Sequence, residues 1–258
     1  MLNEAHAAPI DDWRIAMLAR NNGFPLAKGS DDFGFAFSGP SLHSKAISIR
    51  RLDGAVLAMR VPAAVASEMR AQSAAGESDF SVDENDHVIF ADISDLAGRT
   101  IRRAAALIRA LPDTPLVIYR QKTATMPAAT EAERLVKMRI GQDVFRSALD
   151  DYWQGRCAVT GISDRALLRA SHIKGWAECD SDEERLDVFN GLLLAAHLDA
   201  AFDARLITFG DDGAMIFSPK LTPQARVLLG DAHGPVHLTD GHRKFLRHHR
   251  QKFEQASA

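Results

Sequence analysis

The sequence predicts an α+β protein of two domains, a mixed α/β domain over residues 1–126 and a second domain over residues 127–258. Three observations carry this expectation. The chain of 258 residues is longer than one ordinary domain needs. Its first half alternates short β-type apolar runs with helix-type runs, and its second half opens on one long helical pattern. Between them, Lys122 to Ala132 (Lys-Thr-Ala-Thr-Met-Pro-Ala-Ala-Thr-Glu-Ala) is small, polar and Pro-containing, which is the composition of a linker.

Taken in order, Asp11 to Ala19 has an N-cap candidate followed by apolar residues at helical spacing, so a short helix is expected. Gly34-Phe-Ala-Phe, Lys45-Ala-Ile-Ser-Ile-Arg and Ala55-Val-Leu-Ala-Met-Arg read as strands. Gly39-Pro40 and Asp53-Gly54 separate them, and Asp-Gly between two such runs is a hairpin signal. Pro62 to Ala75 reads as a helix, Phe80-Ser-Val and Val88-Ile-Phe as short strands. Leu96 to Leu111 is expected to be helical, stopped by Pro112, with Leu116-Val-Ile-Tyr as a strand behind it.

After the linker, Glu131 to Trp153 places Leu135, Met138, Val144, Phe145, Ala148, Leu149 and Tyr152 at helical spacing, with Gly141 as a point where the helix can break. Cys157-Ala-Val-Thr-Gly and Leu167 to Ile173 are expected to be two arms of a hairpin, and Glu178 to Leu186 an acidic loop. Leu206-Ile-Thr-Phe and Met215-Ile-Phe-Ser form a second hairpin about Gly210-Asp-Asp-Gly213. Thr239 to Gln255 closes the chain as a helix.

With 46% hydrophobic and 25% charged residues the chain is globular and able to bury a core. A formal net charge of -3 excludes a protein that simply coats DNA, though not an enzyme whose basic residues are gathered locally. Cys157 and Cys179 form neither a CxxC pair nor a zinc-ribbon spacing, so free thiols in a reduced, cytoplasmic setting are expected. The N-terminus lacks a basic segment followed by an apolar one, so secretion is not expected. No apolar run approaches ~18 residues, so no membrane is expected as a partner.

The stretch from Asn190 to Asp203 (Asn-Gly-Leu-Leu-Leu-Ala-Ala-His-Leu-Asp-Ala-Ala-Phe-Asp) does not read as ordinary amphipathic core. Residues at i and i+4 share a helix face, which places Asp199 and Asp203 where they can hold one cation. Upstream, Ser171-His172-Ile173-Lys174 supplies the side chain best suited to take a proton near neutral pH. A general base beside a carboxylate-held metal is suited to hydrolysis, most often of phosphodiesters.

Five segments then resemble the HNH endonucleases of bacterial restriction type, in that family's order. They are Arg139-Ile-Gly-Gln-Asp-Val-Phe-Arg, Gly155-Arg-Cys-Ala-Val-Thr-Gly-Ile, Ala170-Ser-His-Ile-Lys-Gly-Trp, Asn190-Gly-Leu-Leu-Leu and His197-Leu-Asp-Ala-Ala-Phe-Asp. The resemblance covers about residues 134–250. It implies a C-terminal ββα-metal nuclease domain, with a DNA-cleaving activity in restriction or defence and double-stranded DNA as partner. By the same resemblance His172 is the general base, and Asn190 orients it or braces the loop between them. Asp199 and Asp203 are the implied metal ligands, and His197 a third ligand or phosphate contact. Carboxylates favour Mg²⁺ or Mn²⁺, and an imidazole among them also admits Ni²⁺ or Zn²⁺.

The chain departs from the family at two places. Ser171 stands where many relatives carry a metal ligand, and Thr160 stands where a second zinc cysteine would follow Cys157, so no structural zinc is expected. Arg169 and Lys174 beside the motif, and Arg243, Lys244, Arg247 and Arg250 in the tail, are candidates for a phosphate track. Phe245, Leu246 and Phe253 would dock that tail, and Trp176 reads as a packing lid. One such site cuts one strand, so double-strand cleavage implies a two-fold homodimer. Two further readings stay open: a DNA-binding module that does not cut, for which Ser171 speaks, and a nuclease directed at RNA. Residues 1–126 carry no resemblance, and target choice is their expected role only by analogy.

Overall fold

The computed structural model describes residues 8–39, 42, 45–74, 76, 78–127, 130–230 and 234–257. Residues 1–7, Pro40, Ala75 and residues 128–129 of the expected linker lie outside the described residues. The chain divides into two compact units, Met1–Thr114 and Pro115–Ala258. The division lies earlier than the linker expected at 122–132.

In Met1–Thr114 the helix α1 (Ala8–Asn21) precedes four strands, β1 (Leu26–Ser30), β2 (Phe35–Ser38), β3 (Ala46–Asp53) and β4 (Val56–Arg60). Helix α2 (Ala63–Ala74), strands β5 (Phe80–Val82) and β6 (His87–Ala91), and helix α3 (Ser94–Ala110) follow. The strands form one antiparallel sheet in the order β1-β2-β3-β4-β6-β5. The hairpin turns at Asp53-Gly54 as read, with Asp53 opposite Val56. Ile47, Ile49, Leu57, Met59, Val88 and Phe90 are buried, and α3 presents Ala97, Ile101, Ala104, Ala105 and Ile108 at helical spacing. Strand β1 escaped the sequence because all five of its residues are exposed on an edge and show no apolar alternation.

Leu116 to Tyr119 is not a strand but part of helix α4 (Asp113–Thr123). A short apolar run does not distinguish the two states, and Pro115 sits in the first turn, where a helix does not need its missing N–H.

In Pro115–Ala258, α5 (Glu131–Tyr152) starts in a capping box between Thr130 and Glu133 and runs through Gly141 without a break. The glycine serves close approach instead: a Cβ there would run into the Trp176 ring. The segment Cys157 to Gly161 is not the partner of the following strand. It is a turn, and β7 (Leu168–His172) pairs with β8 (Gly191–Ala195), Leu168 opposite Ala195 and His172 opposite Gly191. All five β8 residues are buried, so this strand needs cover on both faces, which a neighbouring solvent-facing arm does not supply. The Cys157 turn docks through its backbone: Ala158 N donates to Leu193 O at 2.7 Å, and Thr160 N and Ala195 N donate to Cys157 Sγ at 3.4 and 3.2 Å.

The expected acidic loop is a 3₁₀ turn (Trp176–Glu178) and a short helix α6 (Asp182–Leu186), N-capped by Ser181. Helix α7 (Ala196–Asp203) leaves β8 directly, completing a strand–strand–helix unit. The hairpin β9 (Ile207–Phe209) and β10 (Met215–Phe217) forms as read. Helix α8 (Pro223–Leu229) was not foreseen, although Thr222 as N-cap and Pro223 behind it are its ordinary signature. Helix α9 (Asp240–Ser257) buries His242, Phe245, Leu246, His249 and Phe253, so the tail docks as expected. Phe245 and Leu246 join Leu192, Leu193, Leu194, Leu198, Phe202, Ile207 and Phe209 in the unit's core. Among the described residues no helix is long and apolar enough to cross a membrane.

Candidate active site

His172 ends β7 with its ring stacked on Phe145 of α5, centroids 3.7 Å apart, and the edge of Trp176 meets it at 5.6 Å. Its Nε2 lies 3.0 Å from the Arg185 carbonyl. A carbonyl only accepts, so Nε2 carries the proton and Nδ1 keeps its lone pair. Burial pushes the imidazole down to about 4, with the carbonyl bond opposing, so the ring is neutral at pH 7. Stacking, tautomer and charge state all leave one basic nitrogen in a fixed orientation.

Asn190 is fully buried at the entry to β8. Its Oδ1 accepts from Lys174 N at 2.8 Å, and its Nδ2 donates to Lys174 O at 3.1 Å and Glu184 O at 3.0 Å. It therefore ties the chain after His172 to the residue preceding Arg185, whose carbonyl orients the imidazole. Asn190 braces the loop and reaches His172 only through it. Gly191 beside it leaves room for Phe145: a Cβ would run into that ring and lie 2.9 Å from Leu149.

Asp199 and Asp203 of α7 open onto the same cavity as His172, a space of 610 Å³ also lined by Ser171, Arg146, Arg169, Trp176 and Arg205. Burial raises Asp199, opposed by the nearby Ser171 hydroxyl and Arg169. Burial and the Asp199 charge raise Asp203, opposed by Arg205. A carboxylate raised by the charge of its neighbour marks a pair short of positive charge. Ser171 adds a buried hydroxyl oxygen beside Asp199. Oxygen donors of this kind suit a hard divalent cation. No group of three His, Cys, Asp or Glu side chains among the described residues is placed to hold a metal. Two carboxylates, a hydroxyl and open coordination positions for water and phosphate are what this chain offers.

The other sequence candidates fall elsewhere. His197 does not line the cavity; two residues from Asp199 on one helix, it faces another way. Arg169 lines it, its Nη1 anchored on the Ala166 and Leu168 carbonyls at 3.0 and 2.9 Å. Lys174 is occupied by Asp180 at 2.8 Å and Glu184 at 2.7 Å, which hold its ammonium well above the usual lysine range. In the tail, Arg243 pairs with Asp240 and Arg250 with Asp211, each at 2.7 Å, while Lys244 and Arg247 are exposed. None of these four lines the cavity. Lys252 and His248 instead bind Glu178, which holds it down to about 2 and pins the turn that carries Trp176. Sequence reasoning missed the stacking role of Phe145, the Arg185 carbonyl and the side chain of Arg205. A phenylalanine one helical turn after Gly141, facing the bare Gly191, was the available signal for the first.

A strand pair ending in an oriented neutral histidine is followed at once by a helix offering two carboxylates to the same cavity, a ββα unit. The family model for HNH endonuclease matches residues 157–210, from the Cys157 turn through the end of β9. Residues 157–210 thus form an HNH endonuclease-like segment, which supports a nuclease activity at family level. No curated protein matches the chain.

Proposed function

We propose that the protein is a metal-dependent endonuclease that hydrolyses phosphodiester bonds of double-stranded DNA in a restriction or defence role. The observation that carries this reading is the His172 imidazole, neutral at pH 7, with Nε2–H committed to a carbonyl and Nδ1 left as a base in the cavity of Asp199 and Asp203. Nδ1 takes the proton of the attacking water. Phe145 and Trp176 keep the ring from turning, and Asn190 holds the loop whose carbonyl sets the tautomer. Asp199, Asp203 and the Ser171 oxygen would hold the divalent ion, Mg²⁺ or Mn²⁺ from its all-oxygen donors. When bound, that ion supplies neutralisation of the scissile phosphate and of the leaving oxygen. His197 lies off the cavity, which removes the nitrogen donor that would favour Ni²⁺ or Zn²⁺. The cavity walls carry Arg146, Arg169 and Arg205 against Asp143, Asp199 and Asp203, so a bound divalent ion tips a balanced site to positive and draws the backbone in.

In this reading Met1–Thr114 chooses the target, and two copies act together where both strands are cut. Supercoiled plasmid with Mg²⁺ or Mn²⁺ should be nicked or linearised. His172→Ala is expected to lower the rate by about 10³-fold while leaving DNA binding intact. A variant that cuts as fast as its parent removes His172 from the mechanism. The absence of an acidic residue at Ser171 favours one second reading, a DNA-binding module; it prevails if the protein retards DNA but cleaves neither DNA nor RNA with any of these metals.

A further inference from the structure

We infer that Arg205 is a substrate-binding residue of the nuclease site, gripping a phosphate oxygen of the nucleic acid beside the Asp199–Asp203 pair; this rests on the nuclease reading above. Arg205 lies just beyond the C-terminal end of α7, and its side chain lines the cavity. Its backbone is left-handed, with φ 60°. Only two other described non-glycine residues share that region, Asp86 at φ 63° and Gln154 at φ 55°. Asp86 closes a tight turn onto the Asp83 carbonyl, and Gln154 follows the end of α5. Neither lines the cavity.

Directly after a helix, a left-handed position favours glycine, and a long side chain there costs stability. Local structure alone therefore does not explain an arginine at this place. Nor does pairing with Asp203, since Arg205 forms no salt bridge among the described residues. Its Nη1 is anchored on the Phe202 and Asp203 carbonyls at 3.2 and 3.3 Å. Its Nε and Nη2 have no acceptor among the described residues. One edge of the guanidinium is thus held by the helix end while the other is left for a ligand. The free edge presents two parallel N–H groups, the geometry that binds two oxygens of one phosphate. The strained backbone places this fork on the carboxylate side of the cavity, where the scissile phosphate must come if Asp199 and Asp203 hold the ion.

The test compares Arg205→Gly and Arg205→Lys, each made in the wild-type protein and in the His172→Ala protein, which isolates binding from cutting. Arg205→Gly relieves the backbone, so its Tm is expected to equal or exceed the parent's by roughly 2–4 °C. Its cleavage rate should nonetheless fall by about 100-fold. In the His172→Ala background, the anisotropy of a labelled duplex titrated with salt should show a log Kd against log[salt] slope shallower by about 0.9, the loss of one phosphate contact. Arg205→Lys should recover the salt slope but only part of the cleavage rate, because an ammonium does not reproduce the fork. If Arg205→Gly keeps the parent's salt slope and rate, or loses activity only in proportion to a lowered Tm, Arg205 is a helix cap and the inference is overturned while the nuclease reading stands. If the His172→Ala protein shows no salt-dependent binding of nucleic acid at all, the nuclease reading falls and the inference falls with it.

Discussion

In Met1–Thr114 six strands pair edge to edge, whereas the hairpin that carries His172 has only β7 and β8. The wide sheet is stabilised by its ladder and by the helices that cover it, with ion pairs such as Arg60 to Asp31 and Asp32 at 2.7 and 2.8 Å beside it. A two-stranded ribbon is marginal by itself. The hairpin depends on what surrounds it: α5 against one side, the Cys157 turn bonded to β8, and Asn190 tying its connecting loop. Both units bury polar groups, but around the hairpin one of them, Asn190, holds the loop whose carbonyl orients His172. The lesson is that the site is rigid because its neighbours are, and should fail when they are disturbed.

Acid should expose this contrast most strongly. His172, His242 and His249 are held by burial at about 4, 3 and 3, all in Pro115–Ala258. A depressed histidine stabilises the fold above its unfolded value near 6.5, and that stability is lost as pH falls towards its folded value. Asp187, raised to about 6, and Asp199 and Asp203, also raised by burial, work in the opposite sense and offset part of this loss. In Met1–Thr114, Asp31 and Asp83 are held below the usual carboxylate range, so their contribution is lost only below about pH 4. Urea midpoints followed through Trp153 and Trp176 fluorescence should therefore drop by the equivalent of several kcal/mol between pH 7 and 5. A midpoint that stays level over that range would contradict the neutral buried state of these rings.

Asn190→Ala is the next largest expected effect. It strands Lys174 N and two carbonyls in a buried place, at a cost of about 3 kcal/mol, and frees the loop that orients His172. Ser48→Ala, which removes a hydroxyl donating to Asp31 at 2.5 Å in the other unit, should cost about 1 kcal/mol and leave any cleavage unchanged. Denaturant unfolding beside a plasmid assay separates the two. Comparable losses of activity in both variants would break the comparison.

Glycines repeat it on a smaller scale. Gly191→Ala drives a methyl into Phe145 and Leu149 and should cost about 2 kcal/mol by overpacking, with a loss of activity as the His172 ring is displaced. Gly54→Ala meets nothing within 4 Å, and only its φ of 46° opposes the substitution, so about 1 kcal/mol is expected. Smallest of all is Arg60→Ala. Its partners are partly exposed, and less than about 1 kcal/mol should be lost, further reduced by added salt.

Most elements were legible because they follow from local periodicity. The α3 face at Ala97, Ile101, Ala104 and Ile108 and the β3–β4 turn at Asp53-Gly54 are written in adjacent residues. The departures occur where the decision is made at a distance. Leu116 to Tyr119 has strand composition but follows a proline placed to begin a helix. Cys157 to Gly161 looks like a strand, yet its sulfur and amides serve β8 as a turn. The true partner of β7 lies beyond a loop whose bracing by Asn190 no short window reveals. Among site residues, chemistry was legible for His172, Asp199 and Asp203, which the fold brings to one cavity. Availability was not: Lys174, Arg243 and Arg250 are taken up by carboxylates that stand apart from them in the chain or on the next helical turn.

By itself the sequence determined which chemical groups the protein has and their spacing on each element, including the i and i+4 placement of Asp199 and Asp203 on one helix. Spacing within an element is a short-range property, set by 3.6 residues per turn or by strand alternation. Only the tertiary structure decided which nitrogen of His172 is free, that the ring is neutral, that His197 faces away and that Arg205 turns into the cavity. Those outcomes depend on burial and on partners contributed by other elements. Low dielectric and fixed hydrogen bonds, which no stretch of sequence possesses before it folds, set the tautomer and charge of a histidine and leave one edge of an arginine open to the cavity.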